Sequence, residues 1–161
     1  MTKDELEELI IDSQTTLYNI SKSILYSDDD CSDAIQEAIA KAFDKIHTLK
    51  KDEFAKTWLT RILINECYAI LNKQKRVISI HEVEETLSEK EHEDYSELYE
   101  SIMKLPTDMR LSIILYYMEG YNIKEIAKLQ NTTESAIKKR LVRGRNKLKA
   151  LLEGGMLYES S

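Results

Sequence analysis

Between Ile123 and Lys149 two helical apolar stripes meet across a break of three residues, Gln130-Asn131-Thr132, and few folds satisfy that pattern. In the first stretch Ile123, Ile126 and Ala127 share a face that Leu129 closes, and the small Ala127 permits a close helix crossing. Asn131 tolerates left-handed backbone, and Thr133 can cap a second helix by accepting a backbone N–H. In that second helix Ile137, Leu141, Gly144 and Leu148 recur at intervals of four, three and four, so one stripe is buried and the rest faces outward. What faces outward is basic. Lys138, Lys139, Arg140, Arg143, Arg145, Lys147 and Lys149 crowd twelve positions with no acid among them. An amphipathic hairpin with a solvated basic face is the plain structural alternative. The tight turn, the matched phase and the confinement of the cations to the second helix favour a helix-turn-helix, laid across DNA phosphates with its first turn toward base edges.

The rest of the chain is equally short of strand signals. One Pro and four Gly in 161 residues argue for helices joined by short connectors, hence an all-α fold. The 42% hydrophobic content follows helical periods, and no apolar run is long enough to span a bilayer, so no membrane insertion is expected. The opening residues MTKDELEELI are acidic, unlike a secretory signal, which makes the cytoplasm the expected location. Cys31 and Cys67 have no metal-ligand spacing and the three His are scattered, so free thiols are expected and neither a metal nor a cofactor is. A nucleotide-binding Gly loop, paired catalytic carboxylates and a His-based constellation are all missing from the sequence, so no catalytic residue is assigned and the chain reads as a non-enzyme.

The net charge of −6 is unevenly spread. Residues 1–76 carry −3, residues 77–94 carry −6 and residues 95–161 carry +3. The middle segment, VISIHEVEETLSEKEHED, has no Trp, Phe or Tyr and a dense run of Glu, and reads as an exposed acidic linker between two small helical domains.

In the first domain Leu6, Leu9 and Ile10, then Leu17, Ile20, Ile24 and Leu25, supply the apolar faces of one or two opening helices. Asp28, Asp29 and Asp30 suit the N-terminal end of a helix from about Ser32 to Leu49, whose core stripe is expected to be Ile35, Ala38, Ile39, Ala42, Phe43 and Ile46. Gln36, Glu37, Lys41 and Asp44 lie off that stripe, available to a partner. A helix from about Asp52 to Lys73 is expected to bury Phe54, Trp58, Leu59, Ile62, Leu63 and Cys67. Its opposite side carries Arg61, Asn65, Tyr68, Asn72 and Lys73, which can hold phosphates, read adenine edges and stack on an unpaired base.

These pieces, in order, resemble the bacterial sigma-70 family: DAIQEAIAKAF from Asp33, FAKTWLTRILINE from Phe54, the acidic connector, the KLP turn at Lys104 to Pro106, and EIAKLQNTTESAIKKRLVRGRNKL from Glu125. More narrowly the chain resembles the extracytoplasmic-function (ECF) group, which keeps only the second and fourth conserved regions. The resemblance implies that residues 1–76 bind core RNA polymerase and open the minus-ten element, that residues 77–94 link the domains, and that residues 95–161 read the minus-thirty-five element. It assigns polymerase contact to Asp33, Gln36, Glu37 and Lys41, and minus-ten DNA contact to His47, Lys50, Lys51, Arg61, Asn65, Asn72, Lys73 and Arg76. The loop His47 to Glu53 matches the family's pocket for a flipped-out base. Upstream contact falls to Thr133, Glu134, Ser135, Lys138, Lys139, Arg140, Arg143 and Lys147, with Glu134, Ser135, Lys138 and Lys139 at the bases and Arg140, Arg143 and Lys147 at the phosphates. An alternative sigma factor is therefore expected, with core polymerase, promoter DNA and an anti-sigma factor as partners. A free-standing helix-turn-helix regulator, acting without polymerase, is the rival. Where the family usually has Leu-Gly and an aliphatic residue this chain has Gln130-Asn131-Thr132, and Gly144 often corresponds to Ala. Both departures imply looser packing at the turn.

Overall fold

A computed structural model describes residues 1–78 and 97–159, with side chains for 1–76 and 97–154. All regular structure among them is helical. The chain divides into two compact units between His81 and Glu82. Beyond Ile78, the acidic segment placed at 77–94 lies outside the described residues.

The first unit opens with α1 (Lys3–Asp12) and α2 (Gln14–Ile24), which part at Ser13. α3 spans Asp28–Asp44 and is capped by the Ser27 hydroxyl, which accepts from the Asp30 N–H at 3.4 Å. It therefore starts four residues before the expected Ser32, with the three Asp inside its first turn, where the helix dipole favours them. It also ends five residues before the expected Leu49. The chain then makes short 3-10 turns at Ile46–Thr48 and Asp52–Phe54 before α4 (Ala55–Ile78).

The seam between α3 and α4 keeps the expected Ala38 and Ala42 but not the larger residues expected beside them. On α3 it is Cys31, Ala34, Ala38 and Ala42 that are buried, while Ile35, Ile39, Phe43 and Ile46 stay half-buried. Small residues one turn apart let two helices approach closely, and the larger side chains then flank the seam instead of filling it. On α4 the inner stripe is Ala55, Leu59, Leu63 and Cys67, backed by Thr60 and Ile64. Phe54 is 56% exposed, and Trp58 and Ile62 are half-buried, contrary to expectation. Phe54 sits in the 3-10 turn before the helix phase is set, so its place in the heptad-like count is not its place on the helix. Polar ties hold the seam at both ends: Lys41 pairs with Glu66, and Gln74 Nε2 donates to Asp30 Oδ2 at 2.6 Å.

The second unit comprises α5 (Glu97–Met103), α6 (Thr107–Ile113), α7 (Ile123–Leu129) and α8 (Glu134–Glu159). Arg110 of α6 is only 1% exposed, unusual for so large a cation. Its Nη1 donates to the carbonyls of Met103 and Leu105 at 3.1 and 2.9 Å, tying the end of α5 to α6 around the KLP turn. α6 runs into a π turn at Ile114–Met118, and Gly120 at φ +74 reverses the chain before the Asn122–Glu125 capping box that starts α7.

Asn131 adopts φ +52, the left-handed conformation its position requires, and Thr133 Oγ1 accepts from the Ala136 N–H at 3.1 Å to cap α8. The turn is tighter than its composition implied. Gln130 reaches back to α6, accepting from the Ser112 hydroxyl and donating to the Asp108 carbonyl at 3.0 Å. At Gly144 a Cβ would lie 3.0 Å from Ile113 Cδ1 and 3.1 Å from Met109 Cγ, so the missing side chain lets α8 close on α6. Gly144→Leu should therefore lower the stability of the second unit by about 1–3 kcal/mol. Urea denaturation of the full chain, followed by helical CD, checks this; an unmoved transition would show that α8 does not depend on the close approach.

Candidate nucleic-acid and protein interfaces

α8 shows the division into two faces that a groove-binding helix needs. Ile137, Leu141, Gly144 and Leu148 are buried, while Thr133, Glu134, Ser135, Lys138, Lys139, Arg143 and Lys147 are exposed and Arg140 is half-buried. At about 100° per residue, Ser135 and Lys139 point most directly away from the buried stripe, Arg140, Arg143 and Lys147 lie along one edge, and Lys138 and Arg145 along the other. Arg145 Nη1 donates to the Tyr117 hydroxyl at 2.8 Å.

In the first unit Arg61, Asn65, Tyr68, Asn72 and Arg76 fall within a stripe about 80° wide on α4, with Lys73 beside it. Arg61, Asn65, Asn72, Lys73 and Arg76 are exposed and Tyr68 is half-buried. The link between α3 and α4 brings His47, Lys50 and Lys51 to the surface just before this helix, and adds the exposed ring of Phe54. Cations for phosphates, amides for base edges and aromatic rings for stacking thus occur together. Asp33, Gln36 and Glu37 are exposed on α3, outside the alanine seam. Lys41 differs from them. It pairs with Glu66 across the seam, and that hydrogen bond holds its ammonium above the ordinary lysine range, so its first role is internal.

Arg110, Gln130 and Tyr117 were not anticipated from sequence. Arg110 had one signal, a single cation at the head of the apolar run LSIILYYM, where a solvated side chain would be out of phase. Tyr117 had none, because the π turn breaks the helical count on which any reading of Ile114–Met118 depends.

A basic helix held outward by a helix-turn-helix, in a chain whose other unit has its own cationic helix face, is an arrangement suited to meeting nucleic acid at two places. The family model for sigma-70 region 2 matches residues 9–77, and that for sigma-70 region 4 matches residues 95–148. The chain is 31% identical over 145 residues to the RNA polymerase sigma factor SigV of Bacillus subtilis (strain 168), covering 88% of this chain and 87% of that protein. With the ECF RNA polymerase sigma factor SigM of the same organism it shares 26% identity over 164 residues, covering 97% and 98%. A solved structure of the sigma factor RpoE in complex with the anti-sigma factor NepR from Bartonella quintana matches with a TM-score of 0.79 and 25% identity, over 94% of this chain and 98% of that one. The chain belongs to the sigma-70 family, in its ECF group. As such it is an alternative sigma factor that directs transcription initiation, and the match to region 2 sets aside the free-standing regulator. Among the described residues no helix is long and apolar enough to cross a membrane.

Both cysteines are buried free thiols. Burial pushes Cys31 up to about 11 and Cys67 up to about 12, with the Ser21 hydrogen bond opposing part of the rise at Cys67. A raised thiol value favours the neutral, folded form. Its contribution to stability is intact below the ordinary value of 9.0 and is lost as pH climbs through about 11 and 12. At pH 8 a thiol reagent should therefore label the folded protein at least about 100-fold more slowly than the denatured chain. Equal labelling rates would contradict the buried placement.

Proposed function

We propose that the two units divide the work of promoter recognition. Residues 1–76 dock on core polymerase through the α3 edge formed by Asp33, Gln36 and Glu37. The α4 stripe and the loop from His47 to Glu53 receive the minus-ten element, whose flipped-out base enters among loop residues that include Lys50 and Lys51. Residues 95–161 place α8 in the major groove of the minus-thirty-five element, and the acidic segment 77–94 joins the two. Its charge suits a cationic path built for nucleic acid. The protein acts in the cytoplasm as a non-enzymatic subunit. An anti-sigma factor that covers the docking and DNA-binding surfaces is its regulator, a reading supported by the complex of RpoE with NepR.

The observation that carries this reading is the two-faced α8, whose buried stripe fixes which side chains point outward. Lys138 lies about 7.5 Å along the axis from the Thr133 cap and Arg143 about 15 Å, so only the former shares the first turns that enter the groove. Arg143→Ala should weaken holoenzyme binding to all promoters alike and reduce the salt slope by roughly one unit. Lys138→Ala should instead cost about 1–3 kcal/mol on the preferred upstream element and much less on altered ones. Binding measured on promoters varied at single upstream positions checks both; identical sequence profiles for the two variants would remove α8 from the proposed groove.

Polymerase docking has its own test. Gln36→Ala combined with Glu37→Lys should leave the helical CD spectrum unchanged and weaken association with core polymerase, because it removes a contact and adds a repulsive charge. A titration of labelled protein against core that gave unchanged affinity would contradict the α3 assignment.

A further inference from the structure

Tyr117 and Arg145 form a contact between elements that the division into faces does not explain. Among the described residues, Arg145 is the one cation of α8 whose side chain is held by a side chain from another element; Lys149 has only the loose pair with Glu153 at 4.0 Å along its own helix. Its partner is 53% exposed at the end of the π turn, steadied by an edge-to-face contact with Tyr116 at 4.9 Å between ring centroids. An exposed hydrogen bond of this kind adds little to stability, since water would satisfy both groups. What it does fix is direction. While the bond is made, a long side chain that would otherwise sample many rotamers keeps to one, with four of its five guanidinium N–H groups still free to donate.

The direction has a use in the groove. Arg143 and Arg145 are two residues apart and so lie about 160° apart around the helix, on opposite edges of the buried stripe. A helix in the major groove runs between the phosphates of two strands. Arg140, Arg143 and Lys147 line one edge, and Arg145 lies on the other with Lys138.

We propose that Arg145 contacts a promoter phosphate on the strand opposite the one held by Arg143, and that Tyr117 is the positioning residue that holds Arg145 ready for it. This rests on the reading of α8 as the upstream promoter helix. The π turn supplies the geometry, since it displaces the end of α6 from helical phase and presents the Tyr117 hydroxyl to α8.

The test is a double-mutant cycle on holoenzyme bound to promoter DNA across a salt series, with Arg143→Ala as the reference. Arg145→Ala should lower the salt slope by roughly one unit, as one lost phosphate contact does. Tyr117→Phe keeps the ring and its contact with Tyr116, and should weaken binding about threefold to tenfold while leaving the melting temperature unchanged. In the Arg145→Ala background, Tyr117→Phe should have no further effect. Equal loss in both backgrounds would overturn the positioning role, and an unchanged slope in Arg145→Ala would overturn the phosphate contact. If Arg143→Ala also left the slope unchanged, the placement of α8 on DNA would fall with it; a slope lowered by Arg143→Ala alone would overturn only the inference about Arg145.

Discussion

The close approach of α8 to α6 at Gly144 is the constraint on which the C-terminal unit depends. With Ile113 and Met109 side-chain atoms 3.0 and 3.1 Å from where a Cβ would stand, α8 packs on α6 through the stripe Ile137, Leu141, Gly144 and Leu148. Rotating the helix by one residue would turn about 100° of its surface and bring a cation against α6, at the cost of an unpaired buried charge. The outward presentation of Lys138, Lys139 and Arg143 is thus a consequence of packing on the opposite side. The Gln130 bonds to Ser112 and the Asp108 carbonyl fix the same relation from the turn, and Arg110 fixes α6 in its own place through the carbonyls of Met103 and Leu105.

The first unit reaches the same end with different chemistry. Its alanine seam brings α3 and α4 close along most of α3, with Lys41–Glu66 and Gln74–Asp30 as polar stops. A narrow seam leaves broad outer surfaces on both helices. The polar edge of α3 and the Arg61–Arg76 stripe of α4 are consequently carried by one packed helix pair. Half-buried Ile35, Ile39 and Phe43 add apolar area beside the polar edge of α3, the mixture that protein interfaces use.

Much of this was legible in the sequence where a residue had one physical option. Asn131 and Thr133 identified the turn and the cap because left-handed backbone and an unsatisfied N–H each select few side chains. The stripe of α8 and the outer face of α4 followed from periodicity alone. The differences arise where size or local geometry overrides period: of the stripe expected on α3, Ala38 and Ala42 are buried with the unexpected Ala34, whereas the larger Ile35, Ile39 and Phe43 flank the close helix contact. Phe54 and Ile46 fell in 3-10 turns, and Tyr117 in a π turn, where a count of 3.6 residues per turn no longer says which way a side chain points. Gly144 looked like a loosened position and proved to be a close approach of α8 to α6, visible only once Ile113 and Met109 are in place.

The central claim is that each unit presents one helix face to a different part of a promoter. Site-specific photocrosslinking in the open complex of holoenzyme and promoter tests it most directly, with the crosslinker placed in turn at Ser135 on α8 and at Ala69 on α4, two exposed positions on the faces concerned. Ser135 should label duplex DNA at the upstream element, and Ala69 the separated strand at the minus-ten element. Labelling of the same segment from both positions, or exchange of the two targets, would contradict it.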